Sequence, residues 1–144
     1  MGDFAADRFQ IGYETIDSEG EKTIDVGFRP VSIEINADYH QANANEEYHS
    51  MDSDDDVAKT MSVSIGYGLE ERQIVTGFYY YSDSSNQHHT YEGDEYVIYI
   101  AILNDRDDGL AGKTMVRLKS FTDTGFILEV TQADYPINFT YKVF

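Results

Sequence analysis

The sequence predicts an all-β protein, an antiparallel β-sandwich of jelly-roll-like architecture with about eight or nine strands. Apolar and polar residues alternate with a period of two in segment after segment, and none follows the 3.6-residue period of an amphipathic helix. Short turn-forming stretches separate these segments, as is typical of sandwiches and barrels. A length of 144 residues fits one domain spanning the whole chain.

The clearest alternation lies in residues 125–144. Phe126, Leu128 and Val130 alternate with polar neighbours, and the pattern resumes after a turn at 132–136. Large apolar residues at every second position indicate a strand with one buried face. We therefore expect a central hairpin here, onto which the other strands pack.

Strands are also expected upstream, each bounded by turn residues. In chain order they cover residues 8–15, 24–28, 31–37, 60–67, 72–81, 95–103 and 116–120. Segment 95–103 is apolar at almost every position, which predicts a central strand covered on both sides. A long acidic loop is expected at 38–56, and residues 46–59 are the stretch most tolerant of a short helix.

The charge is strongly acidic and spread along the chain. There are 27 acidic residues against 10 basic ones, a net charge of −17. Such self-repulsion is screened in concentrated salt, where the Debye length falls to about 3 Å at 1 M. The composition is typical of halophilic proteins, so we expect an archaeon or its virus as the source. Nucleic acid and anionic membranes are disfavoured as partners, since both attract cations.

Several classes of protein are excluded or disfavoured by what the sequence lacks. The chain has no cysteine, and therefore no disulfide, thiolate nucleophile or cysteine-ligated zinc. No apolar run approaches the ~20 residues of a spanning helix, and the start MGDFAADRF does not resemble a secretory signal. Folding in the cytoplasm is expected. No nucleophile elbow, phosphate-binding glycine loop or zinc-protease motif is present, so we expect no enzyme.

One candidate metal site lies in the acidic loop. Asp52, Asp54, Asp55 and Asp56 cluster carboxylates that could bind Ca²⁺ or Mg²⁺. The run lacks the glycine and the final glutamate of an EF-hand loop, and a solvated acidic loop is the alternative. No other cofactor is predicted.

Three other polar groupings have similarly open interpretations. Residues 104–109 place several acids before a glycine, which fits a plain turn or a cation site. His40 and His49 lie in the acidic loop, where a transition-metal site is the less favoured interpretation. Asn138 begins an N-glycosylation pattern on the polar face of a strand.

An aromatic and histidine-rich region is the candidate contact surface for a glycan or a protein. Its members are Tyr79, Tyr81, His88, His89 and Tyr91. Adjacent strand positions point to opposite faces, so the two histidines make a poor chelating pair. Packing of aromatic pairs between neighbouring strands is the alternative.

Three segments carry a family resemblance. They read GFRPVSIEI at 27–35, SVSIGYG at 62–68 and DTGFILEVTQADYPINFTYKVF at 123–144. In this order and spacing they resemble a β-sandwich domain of structural proteins of tailed phages, found near tail fibres or on the virion surface. The resemblance covers residues 27–144. It departs from the family in having no tryptophan, and residues 1–26 fall outside it.

Together with the acidic charge, the resemblance implies a structural component of a haloarchaeal tailed virus, such as a capsid turret, a decoration protein or a tail-fibre protein. It would be non-catalytic and would sit on the virion surface after assembly in the host cytoplasm. A symmetric trimer, pentamer or hexamer docked on other virion proteins is expected. Residues 1–26 would form an arm or an added strand pair, with Phe4, Phe9 and the acidic loop at contacts. The alternative is a receptor- or carbohydrate-binding module.

Overall fold

The computed structural model describes residues 8–39, 60–81, 87–103 and 110–144. In these residues the chain forms strands and no helix, which confirms the all-β prediction. The strands are β1 (Gln10–Ile16), β2 (Gly20–Asp25), β3 (Ile33–Tyr39), β4 (Thr60–Leu69), β5 (Arg72–Tyr81), β6 (Gln87–Gly93), β7 (Ile98–Leu103), β8 (Leu110–Phe121), β9 (Gly125–Ala133) and β10 (Ile137–Val143).

The strands form two antiparallel sheets. Sheet A has the order β1-β10-β3-β4-β5-β6, and sheet B has the order β2-β9-β8-β7. Alternate side chains from each sheet fill the space between them, among them Phe126, Phe139, Ile35 and Ile100, each at most 1% exposed. Full burial of such a side chain contributes roughly 1.5–3 kcal/mol. The predicted β-sandwich is confirmed.

The predicted C-terminal hairpin is wrong, although both of its strands exist. β9 belongs to sheet B and β10 to sheet A, so the two strands face each other across the core. Their apolar sides are in contact there, with the Phe126 and Tyr141 rings 5.3 Å apart in an edge-on arrangement. Both strands carry one strongly apolar side, and stacking these sides buries them together.

The two N-terminal strands also divide between the sheets. β1 pairs with β10, and β2 pairs with β9. They make no pair with each other, because the turn at residues 17–19 carries the chain from one sheet to the other. Each sheet therefore takes one N-terminal strand and one C-terminal strand.

β7 corrects the expectation for residues 95–103. It is an edge strand of sheet B, yet both of its sides are buried. Ile98 and Ile100 point into the main core, whereas Tyr99 and Ala101 join a second cluster with Val75 of β5. Sheet A extends past this edge and covers its outer side. Burial on both sides was anticipated correctly, but the central position was wrong.

Small side chains on β4 allow the backbone of β7 to approach sheet A. Buried Ser62 and Ser64 accept hydrogen bonds from the backbone N–H groups of Ala101 (3.2 Å) and Tyr99 (3.3 Å). At Gly66 a Cβ atom would lie 1.8 Å from the carbonyl oxygen of Val97, where no side chain fits. The β7 edge of sheet B is thus covered by sheet A, and the N–H groups of Tyr99 and Ala101 are not available to another strand.

A similar contact covers the part of β8 that extends past its pairing with β7. The Leu118 N–H donates to Gln73 Oε1 (2.8 Å), and Gln73 Nε2 donates to the Leu118 carbonyl oxygen (3.2 Å). The register of β8 against β9 shifts between Leu118 and Ser120, which places Phe121 in the core. Simple alternation would have put Ser120 there, so the bulge decides which residue is buried.

Candidate functional surfaces

Several predicted site residues lie outside the described part of the chain. These are Phe4, Asp52, Asp54, Asp55 and Asp56, the 104–109 turn, His40 and His49, and most of the 38–56 loop with its helix-tolerant 46–59 stretch. In the residues that the structure describes, no group of three or more His, Cys, Asp or Glu side chains could hold a metal ion. The Ca²⁺ or Mg²⁺ site therefore stays a prediction.

Two predicted positions at the chain termini are described. Phe9 is exposed and its ring lies 5.4 Å from that of Phe144, so it contacts the C-terminal end of β10. Asn138 is half-buried on β10, and its Oδ1 accepts a hydrogen bond from the Thr15 hydroxyl at 2.9 Å. This bond joins β1 to β10 at the candidate glycosylation position.

The aromatic candidates gather where β5 and β6 pass over β7. Tyr79 and His89 are paired residues on β5 and β6, and their rings stack at 5.2 Å and 16°. Tyr91 stacks on Tyr99 of β7 at 3.8 Å and 9°. The side chains of Tyr81 and His88 lie outside the described residues. The geometry is that of cross-strand and cross-sheet aromatic packing.

The chemistry of this cluster follows from its partial burial. Burial raises the pKa of Tyr79 and of Tyr91, and the adjacent Tyr99 raises both further. The Lys113 ammonium lies 5.7 Å from the centre of the Tyr99 ring, within range of a cation–π interaction. Tyr79 and Tyr91, whose pKa values are raised, remain protonated at neutral pH. Tyr91 and Tyr99 use one ring face on each other, which reduces the surface left for a ligand.

A larger feature lies on the outer side of sheet A and was not anticipated from the sequence. Seven large apolar side chains there are between 38% and 53% exposed. We call this surface the β4–β5 face; it consists of Met61, Val63, Ile65, Tyr67, Leu69, Ile74 and Phe78. Together they leave on the order of 600 Å² of apolar surface exposed to water, at the upper end for a monomeric protein.

The composition of β4 explains why this surface is apolar. Its inward positions must be serine or glycine so that the backbone of β7 can approach, as at Ser64 and Gly66. Its large residues, such as Ile65 and Tyr67, consequently point outward. Alternation in sequence predicts the strand but not which side is buried. The available signal is the Ser-x-Ser-x-Gly-x-Gly spacing, which suits contact with a backbone.

Charge is distributed around the β4–β5 face but not on it. No outward position of β4 or β5 within residues 61–80 is a carboxylate, and Arg72 is the charged residue at one end. Carboxylates flank it on the neighbouring strands, Glu34 and Asp38 on β3 and Glu92 on β6. An apolar centre within a charged rim is typical of protein interfaces.

A groove of about 360 Å³ continues the face at one end. Tyr67, Leu69 and Ile74 form its apolar side, together with Phe144 from the C-terminus. Arg72 and Glu34 lie at its border. The groove has the size and lining to receive a large apolar side chain from another molecule.

The remaining described surface carries the acidic charge. Each carboxylate in the described residues is exposed or half-buried. Several basic residues are paired with them: Arg29 binds both carboxylate oxygens of Glu70 at 3.1 Å, and Arg117 lies 3.0 Å from Glu129. Lys119 pairs with Glu21, which raises the pKa of Lys119 through their hydrogen bond and charge. Exposed pairs of this kind contribute little to stability, because water and salt screen them.

Fold and surface together define the chain as an antiparallel β-sandwich with one exposed apolar sheet face. Comparison with known protein families, curated protein sequences and solved structures returns no match. The resemblance to tailed-phage structural domains therefore stays a prediction. Among the described residues, no helix is long and apolar enough to cross a membrane.

Proposed function

We propose that this protein is a non-catalytic structural component of a tailed-virus particle in a high-salt host. It would act by symmetric assembly with its own copies and by docking to other virion proteins, as a capsid turret, decoration or tail-fibre protein. The observation that carries the proposal is the β4–β5 face. An exposed apolar surface of this size, bordered by carboxylates, favours a protein partner.

The distribution of charge supports a high-salt setting. A net charge of −17 repels any second copy in dilute buffer. In molar salt this repulsion is screened beyond about 3 Å, whereas apolar contacts are retained. The protein would therefore assemble on the virion surface, after folding in the host cytoplasm, under the conditions of a halophilic host.

The proposal is tested on particles. Virus particles from a culture of the source are purified in molar salt and their proteins are identified by mass spectrometry. We expect the chain in a fixed ratio to the major capsid or tail proteins. Its presence in cell extract together with its consistent loss from purified particles would contradict a structural role.

A receptor- or carbohydrate-binding function is the second candidate, and the aromatic cluster favours it. His89 is exposed and Tyr79 is half-buried beside it, so both rings contribute surface at the end of the sandwich. The test is a glycan array in molar salt with wild-type protein and His89→Ala. Binding that His89→Ala abolishes would support this function, and no binding by wild-type protein would count against it.

A further inference from the structure

We infer that the β4–β5 face is the contact between two copies of this chain, related by a two-fold axis that passes through Ile65. The inference rests on the proposed function, since it names the surface through which assembly would begin. The partner at this face is a second copy of the chain, bound in one defined arrangement.

Charge is the first argument for a second copy. The chain carries 27 acidic residues, yet none occupies an outward position of β4 or β5 in residues 61–80. Two strongly acidic copies come into close contact most readily through a surface whose centre carries no carboxylate. The β4–β5 face meets this condition for a partner of the same charge.

Area is the second argument. A stable interface of standard size buries roughly 800 Å² on each partner, of which more than half is apolar. The β4–β5 face supplies on the order of 600 Å² of apolar surface, and its polar rim supplies the rest. The surface thus suits a specific dimer, and its apolar area is at the upper end of what monomeric proteins expose.

The arrangement follows from the register of the two strands. Ile65 pairs with Thr76 at the middle of the face, and the apolar residues extend equally in both directions. An axis in the plane of the face, perpendicular to the strands, places β4 on β4 and β5 on β5 of the second copy. Ile65 then meets Ile65 of the second copy, and Val63 meets its Tyr67. Such isologous contacts are the commonest in oligomers.

The rim predicts how the contact responds to salt. In this arrangement Glu34 lies opposite Asp38 of the second copy, since these residues pair with Tyr67 and Val63 respectively. Glu92 pairs with Thr76 on the line of the axis and therefore lies opposite Glu92 of the second copy. Six rim carboxylates thus approach each other in three pairs. The dimer should weaken as salt is lowered, because the repulsion between these like charges is screened less at low ionic strength.

Single-cysteine cross-linking tests the axis, since the natural chain has no cysteine. Facing sheets lie about 10 Å apart, so a short bismaleimide is used instead of a direct disulfide. Ile65→Cys should cross-link to a dimer in molar potassium chloride. Leu69→Cys is the matched control on the same strand and face: two such residues would lie roughly 27 Å apart, beyond the reagent.

Thr23→Cys provides a second control, because Thr23 is exposed on the outer side of sheet B. It should stay uncross-linked. Equal cross-linking of the Leu69→Cys and Ile65→Cys variants would overturn the proposed axis. Failure of the Ile65→Cys variant to cross-link at concentrations where wild-type protein is dimeric would also overturn it.

Sedimentation equilibrium in molar salt tests the surface itself. The substitution Ile65→Asp is present in both copies of the dimer. It should raise the dissociation constant of the dimer at least about 100-fold. Thr23→Asp adds the same charge on the outer side of sheet B and should change the dissociation constant less than about threefold. Circular dichroism of both variants verifies the fold. If both substitutions raise the dissociation constant equally, the added charge alone explains the effect. This result would refute the contact through the β4–β5 face.

The outcomes separate this inference from the proposed function. A monomer, trimer or pentamer in solution that is nevertheless present in particles overturns the two-fold contact and leaves the structural role intact. A dimer, or a hexamer containing the contact, that is lost from particles supports the contact and contradicts the structural role. A different protein or a glycan bound at the β4–β5 face of monomeric protein also overturns the inference.

Discussion

Replacement of Gly66 by alanine tests the close approach of β7 to sheet A. The new Cβ atom would lie 1.8 Å from the Val97 carbonyl oxygen, so the backbone at the start of β7 must move by more than 1 Å. Overpacking of this kind costs typically 1–3 kcal/mol. Displacement would also lengthen the hydrogen bond to Ser64, worth about 1 kcal/mol. We expect Gly66→Ala to lose about 3 kcal/mol of unfolding free energy.

Gly77→Ala is the matched control. Gly77 lies on β5 and faces β7, but its Cβ would be 3.2 Å from the Tyr99 carbonyl oxygen. A few tenths of an ångström would relieve this contact, and alanine stiffens the unfolded chain, so we expect a change within about 1 kcal/mol. Urea unfolding followed by circular dichroism in molar potassium chloride measures both variants. Equal stability of the two variants would refute the proposed steric role of Gly66.

Three further predictions concern hydrogen bonds, salt and pH. Ser64→Ala leaves the buried Tyr99 N–H without its acceptor and should lower the unfolding free energy by about 1–3 kcal/mol in urea titrations; an unchanged midpoint would contradict this. Dialysis to millimolar salt should unfold the protein, and an unchanged circular dichroism spectrum would show that the charge matters less than proposed. Hydrogen bonds from the Lys113 N–H and from Gln132 lower the pKa of Asp134 in the folded protein. The charged carboxylate therefore stabilises the fold above pH ~4, and this contribution is lost as the pH falls through the lowered pKa of the folded state. Asp134→Asn should therefore lower the melting temperature at pH 7 and have progressively less effect in acid; a pH-independent difference would refute this origin.

The strands were predictable because their signal is local. Alternation at residues 8–15 and 72–81 depends on neighbours in sequence, and the structure has strands in both places. Pairing was not predictable in the same way. The apolar sides of β9 and β10 suit a hairpin and a face-to-face stack equally well, and only the positions of β1 and β3 distinguish them.

The candidate sites show the same division between local and long-range information. Aromatic residues at Tyr79, His89 and Tyr91 were identified from sequence, but their stacking depends on Tyr99 in the other sheet. The β4–β5 face was missed because the requirement for small residues comes from β7, which follows β4 by about thirty residues. Alternation separates the residues of β4 into two sides, but it does not indicate which side faces the core.

The pairing of both N-terminal strands with C-terminal ones determines when the protein can fold during synthesis. While the ribosome is still translating residues before 125, β1 and β2 have no partners in either sheet, since β10 and β9 do not yet exist. Sheet B cannot be completed before β9 has been synthesised, and sheet A cannot be completed before β10 has been synthesised. Folding should therefore be slow, as expected of a topology dominated by long-range pairing. Incomplete chains would expose unpaired strand edges, and would be substrates for chaperones or proteases instead of subunits for assembly.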